Sequence, residues 1–308
     1  MHIPTIAVKR ILVIDGGGAK GPIPATVLST ITYRIQREIH QIFDLVYGTS
    51  VGAIIGGIAA TGKMRMERFY PVFLEALPEI FKPVPHIPFI GCKYSRKPMG
   101  RLVSRYIGAQ FLMGQCATRF VCTSVNMVDG RTHFFKSWED KDGKLTLLEA
   151  LSRSYAAPLY FGAIKDKAGN AIWLDGGTGN MSSPTVEAFV EACRLGWVGS
   201  EPVHMLSIGC GQAPVAISYD EASKYRTFRQ VYYFMSPMDG GLARRQCDRA
   251  NDEVLRGISS KFPNFTFQRV EDYALDPKLD VTDGVKYMPE YIRIGERLGD
   301  QVDLGPLK

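Results

Sequence analysis

Three glycine-bearing segments hold the residue types that acyl-transfer chemistry needs. Gly48-Thr49-Ser50-Val51-Gly52 is a G-x-S-x-G between an apolar β-type run and an apolar helical run. A serine lifted out of a sheet on a sharp strand-to-helix turn offers its hydroxyl as a nucleophile, and glycine on both sides removes side chains that would collide with that turn. Asp15-Gly16-Gly17-Gly18-Ala19-Lys20-Gly21 lies earlier, also between a strand and a helix. Consecutive glycines let adjacent backbone N–H groups converge on one point, and the helix N-terminus behind them adds positive potential. Such a nest suits a phosphate or a developing oxyanion. Trp173-Leu174-Asp175-Gly176-Gly177 ends a third apolar run with a carboxylate. Its ordinary use is a turn, its chemical use a general base.

Other chemistries fit less well. Gly16 to Gly21 satisfies G-x-G-x-x-G, but a dinucleotide fold wants an acidic residue about 20 positions on, ending the second strand. Glu38 is still on the helix and Asp44 lies inside the next strand, so a nicotinamide or flavin is disfavoured. The histidines and cysteines lack metal-ligand spacing, and the carboxylate pairs Glu139/Asp140 and Asp276/Asp280 sit in polar, surface-like runs. No cofactor and no metal are therefore expected. A Ser–Asp–His order would need a histidine after Asp175. Of five histidines only His204 follows it, inside the strand-like Val203 to Ile208, where a buried structural role is expected.

The elements that must position these groups read as an α/β chain. Arg10 to Ile14 is a short β-branched run, a buried parallel strand. Ile23, Val27, Leu28, Ile31, Ile35 and Ile39 share one helix face, after Pro22 and Pro24 in the first turn. Phe43 to Tyr47 reads as a strand and Val51 to Thr61 as a helix. Further strands are expected at Phe120–Val125, Thr132–Phe135, Ile172–Leu174 and His204–Ile208, with helices at Leu147–Ser154, Pro184–Leu195 and Met288–Leu298. The βαβα start implies a three-layer α/β/α fold with a mostly parallel central sheet. One domain over 1–308 is expected, its motif-bearing core at about 10–210 and a charged, helical elaboration at about 212–308. Residues 78–99 hold five prolines and read as irregular, either a surface connection or a lid or interfacial loop.

Composition narrows the class. With 45% apolar and 22% charged residues the chain is an ordinary globular one, not a disordered or fibrous one. A net charge of +6 without a dense basic block argues against a nucleic-acid polymer and allows a membrane surface or a nucleotide. Six cysteines without CxxC spacing read as buried thiols in a reducing compartment. No export signal and no stretch of about 18 apolar residues is visible, so a cytoplasmic location with peripheral membrane contact is expected.

The order DGGGxxG, then GxSxG about 30 residues later, then a distant DGG resembles the patatin-like phospholipases. Ser154-Tyr155-Ala156-Ala157-Pro158-Leu159-Tyr160-Phe161 resembles the stretch they carry between serine and aspartate. The resemblance covers about residues 10–210. It implies a lipid acyl hydrolase with Ser50 as nucleophile, Asp175 as base, and the amides of Gly16, Gly17 and Gly18 as oxyanion hole, working through an acyl-enzyme without a histidine. Asp15, Lys20, Gly21, Gly48, Gly52, Gly176 and Gly177 would support these motifs. Lys20 departs from the family's usual arginine, so a two-pronged hydrogen-bonding role there is in doubt. A free aspartate has a pKa near 3.9 and is a weak base for a serine, so the site must desolvate it and stabilise the oxyanion strongly.

Within the family the chain resembles short bacterial members, some of which are effectors of cyclic-oligonucleotide anti-phage signalling. That subgroup implies a membrane phospholipid substrate at the inner face of the membrane and a cyclic dinucleotide activator; a homo-oligomer is allowed, and the sequence does not show the oligomeric state. Basic residues at Lys93, Arg96, Lys97, Arg101 and Arg105, and at Arg244, Arg245 and Arg249, could meet phosphates, anionic lipids or only water. Two alternatives stay open: an esterase without nucleotide control, and a non-catalytic binding protein that keeps the fold.

Overall fold

The computed structural model describes residues 8–87, 90–166, 169–179, 181–214, 216–227, 229–230, 242–281 and 283–308. Its strands are β1 (Lys9–Ile14), β2 (Leu45–Gly48), β3 (Arg119–Asn126), β4 (Arg131–Lys136), β5 (Ile164–Lys165), β6 (Ile172–Asp175), β7 (Val203–Ile208) and β8 (Phe265–Val270). They form one sheet in the order β5-β6-β3-β2-β1-β7-β8, with β4 also paired to β3. From β3 to β8 the neighbours run parallel; β4, β5 and β6 join antiparallel.

β1 explains why three layers form. Ile11, Leu12, Val13 and Ile14 are all fully buried, so the strand needs cover on both faces. Leu12 and Ile14 pack with α1 (Pro22–Ile35), α3 (Val51–Ala60), α4 (Met66–Ile80), α5 (Lys97–Tyr106), α6 (Leu147–Ser154) and α10 (Met288–Asp300). Ile11 and Val13 face α7 (Thr185–Arg194) and α9 (Leu242–Lys261). Two short helices, α2 (Ile39–Ile42) and α8 (Tyr219–Ala222), complete the set among the described residues.

Several expectations need correction. The first helix stops at Ile35, because Gln36 takes a left-handed conformation (φ 59°) and Ile39 starts a separate turn. Regular structure enters both ends of 78–99: α4 runs through Ile80 and α5 begins at Lys97. The region after 212 is not only helical, since β8 pairs in parallel with β7. The cysteines are all free, but Cys92 and Cys193 are exposed rather than buried. Arg244's side chain lies outside the described residues.

His204 is buried in β7, with Nδ1 2.8 Å from Thr266 Oγ1. Burial pulls its pKa down to about 4, against 6.5 for a free imidazole. The folded chain therefore binds this proton less tightly than the unfolded chain. Its stability is intact above pH 6.5 and falls as pH drops towards 4. We expect the wild type to lose up to about 3 kcal/mol more unfolding free energy than His204→Asn between pH 7 and pH 4. Urea denaturation at stepped pH measures the difference, and equal slopes would exclude it.

Candidate active site

Ser50 sits on the turn between β2 and α3 with φ 54° and ψ −121°, a conformation that L-residues rarely adopt. The turn is tight because the chains on either side nearly touch. A Cβ on Gly48 would lie 2.6 Å from the Gly52 carbonyl oxygen, and one on Gly52 would lie 2.5 Å from that of Asp15. The Ser50 amide donates to Ser154 Oγ at 3.0 Å, at the end of α6. Ser154 is fully buried and pins the strained residue from below.

The sheet register carries Asp175 to the same place. β2 runs along β3 until Gly48 pairs with Cys122 and then turns away. β6 arrives from the opposite direction along the same β3 and ends with Asp175 paired to Ser124. Two positions on β3, about 7 Å, separate the two strand ends. Thr123 fills the gap, its Oγ1 2.8 Å from Thr49 Oγ1. The segment after α6 joins both ends: Ser154 takes the Ser50 amide, and the Ala156 carbonyl takes the Asp175 amide at 3.1 Å. Asp175 is 6% exposed, and its Oδ1 accepts the Gly177 amide at 2.8 Å. Gly176 begins the 3-10 turn that provides this donor.

The glycine loop lies against the elbow. A Cβ on Gly16 would stand 3.3 Å from Ser50 Cβ. Gly18 takes a left-handed φ of 59°, and Gly21 caps α1. The Gly16 amide donates to the Ser182 carbonyl at 2.9 Å, so it is already engaged. Among the described residues no acceptor takes the amides of Gly17 and Gly18. Of the three glycine amides, that of Gly16 is thus hydrogen-bonded in this structure.

A buried ion network holds this loop from behind. Arg269 of β8 is fully buried; it donates to both carboxylate oxygens of Asp15, at 3.0 and 2.5 Å, to Ser207 Oγ at 2.6 Å and to Glu271 at 2.8 Å. Asp252 stands 3.2 Å from its Nε. Three carboxylates share one guanidinium, and burial pushes Glu271 up to about 7 against the pull of Arg269. Lys20 makes the second anchor. Its Nζ donates to Asp280 at 2.6 Å and to the Gly211 carbonyl at 2.8 Å. Two single-acceptor contacts suit an ammonium, and no two-pronged contact is made there. Asp280, expected on a solvated face, is instead buried between Lys20 and Arg245, and those cations overcome its burial to hold its carboxyl below the usual range. Arg245 is thereby committed, and Arg249 lies 5.3 Å from the Tyr273 ring.

An apolar cleft opens at the nucleophile. Ser50, Val51 and Ile54 line its floor, Phe73 and Leu77 of α4 one wall, and Phe81, Met99, Tyr155 and Phe161 the rest. The enclosed cavity is small, about 30 Å³. Its apolar lining suits a hydrocarbon chain with its carbonyl carbon at Ser50, and such a chain would enter only as these side chains part. The acids considered for a dinucleotide are used elsewhere: Glu38 binds Arg65 and the Met66 amide, and Asp44 accepts the Arg10 amide. Among the described residues no group of three or more His, Cys, Asp or Glu is arranged to hold a metal ion, and no helix is long and apolar enough to cross a membrane.

Arg269, Ser154 and Thr123 were given no role by the sequence motifs. Replacing Arg269 with Gln leaves Asp15, Asp252 and Glu271 without their counter-charge. An expected loss of about 3–5 kcal/mol of unfolding free energy follows. Denaturant titration checks it; a loss under about 1 kcal/mol would mean that the network is not what braces the loop.

Comparison with known proteins follows the same lines. The patatin-like phospholipase family model matches residues 12–189, more than half of the chain. A cGAMP-activated phospholipase of Escherichia coli is 30% identical over 238 residues, covering 70% of this chain and 66% of that protein. A second protein of that name, from Vibrio cholerae, is 27% identical over 182 residues, covering 49% of each chain. The chain thus spans less than two thirds of the length of both relatives. The structure of VipD from Legionella pneumophila is 12% identical, with a TM-score of 0.46, covering 93% of this chain and 67% of that one. By its match to the family model over more than half of its length, the chain belongs to the patatin-like phospholipase family.

Proposed function

We propose that the chain is a phospholipid acyl hydrolase working through a Ser50–Asp175 dyad. The observation that carries this reading is the meeting of two strand ends on one edge of β3, one bearing a strained serine and the other a buried carboxylate, at the floor of an apolar cleft. In the proposed course an acyl chain lies in the cleft and its ester carbonyl at Ser50. Ser50 Oγ attacks the carbonyl carbon and its proton passes to Asp175. The oxyanion is held by the amides of Gly17 and Gly18, which need no reorganisation because the loop is already braced. The ester C–O bond breaks, and the alcohol product leaves with the proton from Asp175. Water then gives a proton to Asp175 and attacks the acyl-enzyme, the bond from the acyl carbon to Ser50 Oγ breaks, Ser50 Oγ takes the proton back from Asp175, and fatty acid is released.

Two relatives named cGAMP-activated phospholipase favour regulation by a cyclic dinucleotide. An anti-phage role at the cytoplasmic face of the membrane is proposed with it. Six free thiols and no disulfide suit a reducing compartment. The basic set at Arg245 and Arg249 gives this reading no support, since Arg245 is committed to Asp280.

Fatty-acid release from mixed phospholipid vesicles, with and without cGAMP and other cyclic dinucleotides, tests both parts. Ser50→Ala is expected to lower the rate by roughly 10⁵-fold or more and Asp175→Asn by about 10⁴-fold, with thermal melts unchanged. Near-normal hydrolysis by either variant would remove the dyad. Absence of a fluorophosphonate adduct at Ser50 with activators present would favour a binding protein, and equal rates with every nucleotide would dismiss the regulated form for those tested.

A further inference from the structure

The mouth of the cleft is bordered by a surface that the hydrolytic machinery does not use. From residue 80 to residue 128 the sequence contains no aspartate or glutamate, while Lys82, Lys93, Arg96, Lys97, Arg101 and Arg105 all fall between 82 and 105. No other acid-free stretch of the chain is half as long. Lys97, Arg101 and Arg105 recur at every fourth residue of α5, so they share one helix face, and all three are exposed. The opposite face buries Met99, Leu102 and Val103, and Met99 lines the cleft. One helix therefore has its inner side on the cleft and a cationic stripe on its outer side.

The segment before α5 adds an apolar tip. Its base is fixed: Pro83 and Tyr94 bridge in antiparallel fashion, the Val84 amide donates to the Lys93 carbonyl at 2.9 Å, and Tyr94 stacks on Tyr160 with ring centres 5.8 Å apart. Lys93 is neutralised by Asp283 at 2.6 Å. Beyond this base the chain turns, with the Gly91 amide donating to the Ile87 carbonyl at 2.9 Å. There Ile87 is 63% exposed and Ile90 is 83% exposed. Lys82 is set against Glu79 at 3.8 Å, so the cationic character of this segment rests on the α5 stripe. Large β-branched side chains at the tip of an anchored turn, in the same segment as that stripe, have the chemistry that enters an anionic lipid surface rather than water or a protein core.

We propose that residues 82–87 and 90–105 supply the face on which the chain docks to an anionic phospholipid bilayer, with Ile87 and Ile90 entering the acyl boundary and the α5 stripe lying on the headgroups. The choice of lipid as partner rests on the hydrolase reading above. Docking in this way brings Phe81 and Met99, two residues that line the cleft, next to the membrane-bound face and so shortens the path of an acyl chain from bilayer to cleft.

Flotation with phosphatidylcholine–phosphatidylglycerol vesicles and with pure phosphatidylcholine vesicles tests it, in a Ser50→Ala background that leaves the vesicles intact. Binding to the anionic vesicles is expected, weakened by added salt. K97E/R101E should weaken it at least 25-fold, about five-fold for each cation lost. Ile90→Asp should weaken it more than tenfold even at low salt. Both variants, with Ser50 present, should hydrolyse a soluble short-chain ester as the wild type does. Anionic vesicles that bind the variants as tightly as the parent chain, or do not bind the parent chain, would overturn the docking face. Equal binding to neutral vesicles would overturn the role of the cationic stripe. Loss of soluble-ester hydrolysis in the wild type would instead count against the dyad and leave the flotation result standing.

Discussion

The left-handed backbone of Ser50 is the constraint on which the site depends. A non-glycine residue at φ 54° costs energy and persists only where its surroundings leave it no alternative. Here those surroundings are specific. Gly48 and Gly52 admit the close approach of three chain segments, and Ser154 takes the amide that the turn removes from the sheet. The Ser50 hydroxyl is not needed for any of these contacts, so it is left for chemistry.

The same economy places the carboxylate. β6 runs antiparallel to β3, and this is what makes its end face the end of β2 instead of lying beside it. A fully parallel sheet would have carried Asp175 past Ser50. The antiparallel pairs are thus the part of the topology that brings the two motifs together. α6 and the turn after it then hold both by one hydrogen bond each, from Ser154 and Ala156.

Much of this was legible in the sequence, for identifiable reasons. β1, β2, α3 and β7 are apolar on every face or nearly so, and their glycine punctuation is sharp. Ser50, Asp175 and the glycine loop lie in order-specific motifs. What was not legible depends on pairing across long separations. β8 is a half-exposed edge strand with Arg269 next to its last residue, so it lacks the apolar run that marks β1 and reads as polar. Asp280 sits in a run that looks solvated, and only the approach of Lys20, 260 positions earlier, shows it to be buried. The Gly16 amide could be set apart from those of Gly17 and Gly18 only once Ser182 was seen beside it. The cleft wall from α4 was missed because two prolines interrupt that helix.

The position of β1 in the sheet has a consequence for how the family signature should be understood. That signature ends at residue 189, yet β1 is flanked on one side by β7, and the loop leaving β1 is tied to β8 through Arg269. A fragment cut at the signature's boundary would expose a hydrophobic sheet edge and leave Asp15 unpartnered. The matched segment is therefore not a self-sufficient module. The chemistry is encoded in one portion of the polypeptide, while the stiffness that chemistry relies on is contributed by another.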